Sequence, residues 1–172
     1  VLYYGKWMQE QAQEKLKVAQ SSQFLHKIDQ LQAELKDQQD QIDALSAKLM
    51  KEASNEIFEQ VKEVKGVRYI AASLNNQSMD ALRSLGDQWK TKEISNIFVV
   101  ASHEGESAKL LVLVDKEAND MGIKAGDLIK PLAKVIGGGG GGRPDMAQAG
   151  GKKPEAIQEM IGLVAREIEK LL

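Results

Sequence analysis

The chain has 172 residues, enough for one ordinary domain and an extension. It carries no cysteine and only two histidines, His26 and His103. That excludes a disulfide framework, thiolate chemistry and a zinc site built from three or four Cys and His ligands. The net charge of −2 speaks against a general polyanion binder, and no apolar run approaches a membrane span. No metal and no cofactor are expected. The cytoplasm is the default location, and the start at Val1, without Met or a secretory signal, points to a piece of a longer protein.

In chain order, Tyr3, Tyr4, Trp7 and Met8 form an aromatic cluster that reads as the tail of a preceding domain. Residues 6–65 contain no Gly and no Pro and are rich in helix formers. The spacing predicts one long helix there, with an apolar stripe Phe24, Ile28, Leu31, Leu35, Gln38, Ile42, Leu45, Leu49 that steps by alternating fours and threes. This is a coiled-coil seam with one polar interruption, Gln38. Beyond Leu49 the stripe continues as Ala53, Ile57 and Val61 in steps of four, a stutter that unwinds a supercoil. A helix of this length needs a partner for its seam. The leading reading is a second copy of the chain, giving a homodimer. The alternative is that the seam packs on another domain of the same chain. Gly66 reads as the glycine just past the helix end.

From residue 66 the pattern changes to a small α/β domain with a mixed sheet, so the fold class is α+β, a long coiled-coil arm (1–65) followed by a globular part (66–172). VRYIAASL (67–74) reads as a strand. Residues 79–90 read as a helix, with Ser78 as N-cap and Leu82, Leu85 and Trp89 inward. IFVVA (97–101) and KLLVLV (109–114) are apolar runs suited to strands buried on both faces, joined by the hairpin-length HEGES. A short helix follows over 116–121, then one from Asp127 or Lys130 to Ile136, because Pro131 is comfortable only near a helix start. Pro154 opens a closing helix whose stripe is Ile157, Ile161, Val164, Ile168 and Leu171 or Leu172.

Residues 137–151 read GGGGGGRPDMAQAGG and hold eight of the fifteen glycines. Each glycine costs backbone entropy on ordering, so the run predicts a loop. Its return is close backbone approach, with N–H groups free to meet an anion. A P-loop is excluded, since Arg143 and Pro144 stand where its Lys and Ser/Thr would be. A flexible linker is disfavoured by the abrupt, specific ending at Arg143. Residues 1–65 carry nine basic and eleven acidic groups. Residues 124–153 carry six basic groups against two acidic, so the positive field surrounds the glycines.

GGGGGGRPDMAQAGG, preceded by KAGDLIKPLAKVIGG and SHEGESAKLLVLV, resembles the C-terminal region of alanyl-tRNA synthetases over nearly the whole chain. The globular part also resembles the broader DHH-associated group, shared with DHH-type phosphoesterases and nucleases, where a glycine-rich loop contributes to nucleic-acid binding. The resemblance implies a non-catalytic module of an alanine–tRNA ligase. Such a module binds tRNA at the outer corner where the D and T loops meet, and helps aminoacylation and editing domains work on one tRNA. It also contributes to dimerisation. The implied partners are tRNA-Ala, a second copy of the chain, and the upstream aminoacylation and editing domains. The alternative is the nucleic-acid-binding module of a DHH-type phosphoesterase or nuclease, which would expect a DHH core and a shorter linker. A blander alternative, a coiled-coil assembly factor, leaves the basic glycine region unexplained.

On this reading Gly137, Gly138, Gly139, Gly140, Gly141 and Gly142 offer an N–H cradle for phosphate or ribose. Arg143 is the first charged contact, able to grip phosphate or stack on a base, or else to pair with Asp145. Pro144 fixes the loop exit and Met146 packs inward. Gln148 either meets a base edge or ties down the loop. Lys130, Lys134, Lys152 and Lys153 supply surrounding charge. His103 is weaker, and Asp115, Glu117 and Asp145 are too scattered for a metal-dependent carboxylate site.

Overall fold

A computed structural model describes residues 2–16 and 22–172. They divide into two compact units, 1–52 and 53–172.

The first unit holds helix α1 (Leu2–Leu16) and most of α2 (Ser22–Glu59). The expected continuity of the helix through residues 17–21 lies outside the described residues. On α2 the seam is half-buried at Phe24, Ile28 and Leu31 and open further on, where Leu35, Ile42, Leu45 and Leu49 are all exposed large hydrophobics. The helix ends at Glu59, not at Lys65, which corrects the sequence reading in two places. Val61 lies beyond the helix, so the stutter stops at Ile57. Gly66 is not a helix cap. Residues 62–64 are captured instead by strand pairing, because β1 (Lys62–Val64) pairs antiparallel with β2 (Val67–Asn75). Lys65 and Gly66, at φ 48° and 83°, form the left-handed two-residue turn that suits a tight hairpin.

The second unit is an α+β domain around a six-stranded mixed sheet. After β2 come α3 (Met79–Lys92), β3 (Ile97–Glu104), β4 (Ser107–Val114), α4 (Lys116–Asp120) and α5 (Ala125–Val135). Then follow β5 (Gly138–Gly142), β6 (Met146–Gly151), a 3-10 turn (Pro154–Ala156) and α6 (Ile157–Leu171). Strand order is β1-β2-β3-β4-β6-β5, with β2 and β3 parallel and every other pair antiparallel. The buried runs of β3 and β4 follow from cover on both faces. Phe98, Val100, Leu111 and Leu113 meet α3 through Leu82, Leu85 and Trp89. Val99, Ala101, Leu110 and Val112 meet α5 and α6 through Leu128, Leu132, Val164 and Ile168. Met160, outside the expected stripe of α6, is also fully buried there.

The N-cap expectation holds: Ser78 accepts a bond from the Ala81 amide at 3.2 Å. HEGES shrinks to a two-residue turn at Gly105 and Glu106, its flanks joining the strands. The helix expected from Asp127 or Lys130 starts at Ala125, with Pro131 in its interior. Proline there costs about 3 kcal/mol. Complete burial of Leu128, Ile129 and Leu132, each worth about 1.5–3 kcal/mol, offsets that cost.

Candidate nucleic-acid interface

The glycine run is not a loop but the edge strand β5, paired along its length with β6. The hairpin closes through a two-residue turn at Pro144 and Asp145, where the Arg143 amide donates to the Met146 carbonyl at 2.8 Å. Bonded and non-bonded pairs alternate in an antiparallel ladder. The bonded pairs after Arg143 and Met146 are therefore Gly141 with Gln148 and Gly139 with Gly150. Gly138, Gly140 and Gly142 fall in the non-bonded pairs, where the two backbones come closest.

That parity explains why a glycine run makes a strand here. A Cβ on Gly140 would land on Ala149, and one on Gly142 would land on Met146 and Ala147 of β6. A Cβ on Gly138 would meet the backbone of Gly150. Gly139 and Gly141 would meet nothing within 4 Å. Close approach to β6 thus outweighs the entropic cost at alternate positions, and the other two glycines are open.

The anion cradle changes accordingly. The Gly137 amide is taken by the Lys134 carbonyl at 3.1 Å. Those of Gly139 and Gly141 belong to the ladder, so Gly138, Gly140 and Gly142 supply the outward amides of an extended edge, alternating with carbonyls. This is not a concave nest.

Cations stand at both ends of this edge, which spans about 14 Å at ~3.4 Å per residue. At one end Lys124, Lys130 and Arg143 line a shallow depression of about 140 Å³ with Gly141, Gly142 and Pro144. The start of α5 is fastened there, since the Ala125 amide donates to the Pro144 carbonyl at 2.8 Å. Arg143 pairs with Asp145 at 3.5 Å and Lys130 with Asp127 at 3.0 Å, both in open solvent. Exposed pairs of this kind are worth about 0–1 kcal/mol, so a phosphate can displace the carboxylate. At the other end the Lys153 stem lies against Gly137, and Lys134 and Lys152 are exposed. The six expected cations and glycines are therefore near one edge, but the lysines form two groups and not a ring.

Gln148 points to the α3 side of the sheet, and Arg83 of α3 donates to its Oε1 at 2.8 Å. The carboxamide thus ties the hairpin to the helix beside a hollow of about 300 Å³. Met79, Lys109, Gly139 and Gly150 line that hollow with Gln148. Lys109 donates to Glu104, which holds that carboxyl below the usual carboxylate range, chiefly through the hydrogen bond. Arg83 and Lys109 were missed in the sequence. Lys109 was legible, since it lies two residues before Leu111 and shares its face. Arg83 gave no signal, because its partner is 65 residues away. Met146 is half-buried against the α3-side core.

Other residues have structural employment. His103 is the penultimate residue of β3, opposite Ala108, on the sheet face away from Gln148. Asp115 caps α4 through the Ala118 amide at 2.8 Å. Asn96 donates to both Asp115 and Glu117 at 2.9 Å. No cluster of three or more potential metal-ligating His, Cys, Asp or Glu occurs among the described residues.

The fold and site define an α+β domain whose exposed sheet edge is a glycine hairpin flanked by cations. Residues 66–170 match the family model described as the DHHA1 domain, and the chain belongs to that family. It is 48% identical over 146 residues to an alanine–tRNA ligase of Latilactobacillus sakei, covering 85% of this chain. It is 48% identical over 151 residues to that of Lacticaseibacillus paracasei, covering 88%. The chain spans 17% of the length of each. Among solved structures it is similar to the C-Ala domain from Aquifex aeolicus alanyl-tRNA synthetase, with TM-score 0.59 and 28% identity. That likeness covers 63% of this chain and 97% of that one.

Proposed function

We propose that this chain is the non-catalytic C-terminal module of an alanine–tRNA ligase. Residues 66–172 bind tRNA-Ala at its outer corner and so help separate aminoacylation and editing domains act on one tRNA. The long helix α2 is the arm, and it pairs two copies through Phe24, Ile28, Leu31, Leu35, Ile42, Leu45 and Leu49. The observation that carries the binding reading is the glycine edge with cations at both ends, in a domain similar to C-Ala. Backbone amides of Gly138, Gly140 and Gly142 meet phosphate or ribose without side chains in the way. Arg143 leaves Asp145 to grip a phosphate, and Lys130, Lys134, Lys152 and Lys153 extend the contact in both directions. Gln148, held by Arg83, presents its NH2 to a base edge or a 2′-hydroxyl.

Phosphate contacts make binding salt-dependent, with a slope set by their number. Arg143→Ala is expected to weaken tRNA binding by about 1–3 kcal/mol and to make the salt slope shallower. Titrations of wild type and variant across a salt series, with circular dichroism to check folding, measure this. Wild-type affinity in a folded Arg143→Ala protein would remove Arg143 from the interface.

A further inference from the structure

We infer that α2 pairs with a second copy of this chain in parallel and in register, with Gln38 opposite the partner's Gln38. The inference rests on the pairing proposed above and adds its direction.

The seam lies on one uninterrupted helix, and its C-terminal half is open, with Leu35, Ile42, Leu45 and Leu49 56–66% exposed. The three-step intervals fix the heptad. Ile28, Leu35 and Ile42 take the first core position, and Leu31, Gln38 and Leu45 take the second. Ile at the first position with Leu at the second favours two strands when the pairing is parallel. Gln38 then decides between directions.

Only one antiparallel register keeps all eight seam residues in contact, because their numbers are symmetric about the midpoint between Lys36 and Asp37. In that register Leu35 faces the partner's Gln38. The arrangement occurs twice, and each time it buries a carboxamide against a leucine with no hydrogen-bond partner. Lys27 also meets the partner's Lys48 twice, a like-charge contact. In the parallel pair both penalties vanish. The two Gln38 side chains meet in one layer, where each amide donates to the other's oxygen. The flanking contacts become Lys27 with the partner's Gln32 and Glu34 with the partner's Gln39, with no like charges opposed. A single polar core residue is the known device for fixing direction and register in such coils.

The chain has no cysteine, so direction can be read by cross-linking. Wild type is first sedimented. A monomer at all concentrations would end the pairing and this inference together. Next, Leu31→Cys and Ile42→Cys are purified separately, mixed and oxidised. Parallel pairing gives Leu31→Cys and Ile42→Cys homodisulfides and no mixed product, whereas a dominant mixed disulfide overturns the proposal while leaving the dimer standing. A second measurement avoids changing the seam. Spin labels on Gln23→Cys lie at one height in the parallel pair, whereas the antiparallel register separates them by about 40 Å along the axis at 1.5 Å per residue. Gln38→Leu removes the penalty on the antiparallel layer, and the mixed disulfide is expected to rise from absent to a substantial share.

Discussion

At the scale of single residues, the five strand glycines divide by parity. Gly140 faces Ala149 across a close pair, so Gly140→Ala is expected to cost at least about 1–3 kcal/mol, the usual cost of overpacking. Gly141 is open, so Gly141→Ala is expected to stay within about 0.5 kcal/mol. Denaturant unfolding of the two variants makes the comparison, and equal losses would contradict the assigned ladder. The same parity limits what the sequence could reveal. Six consecutive glycines carry no alternation, so nothing in GGGGGG distinguished a loop from a strand. Its pairing partner RPDMAQAGG does alternate, Met146 and Gln148 against Ala147 and Ala149, but over only four residues. Arg143, by contrast, was legible with both its alternatives. Its pairing with Asp145 is present, and the exposed geometry leaves the phosphate contact open.

At the scale of elements, the apolar runs of β3 and β4 and the capped helix α3 were readable because local chemistry and tertiary packing agree there. Ser78 accepts from Ala81, Trp89 donates to Ser95 at 2.8 Å, and the indole stacks on Phe98 with ring centroids 5.7 Å apart. Ser78→Ala is expected to lower stability by about 1 kcal/mol, read as a lower denaturant midpoint with unchanged slope. An unchanged midpoint would show that the cap contributes nothing here. Where local and tertiary preferences conflict, tertiary packing wins. Residues 62–64 join a hairpin despite continuous helix propensity up to Lys65. Pro131 sits inside α5 because that helix is buried on both sides of it. Boundaries read from Gly66 and Pro131 failed for this reason, while the elements themselves stood.

At the scale of the whole molecule, the separate charge balances of the two parts matter more than the net −2. Six cations against two carboxylates stand in two groups at the ends of the glycine edge, and the arm is slightly acidic, so the arm adds no attraction for a polyanion. The proposed function therefore gives nucleic-acid binding to the globular part and pairing to the arm. The most direct test is to compare this chain's binding of tRNA-Ala, an unrelated tRNA and a single-stranded RNA at two salt concentrations. The account expects both folded tRNAs to bind, with affinity falling steeply as salt rises, and the single strand to bind poorly. Preference for the single strand, or no binding to either tRNA at low salt, would contradict it.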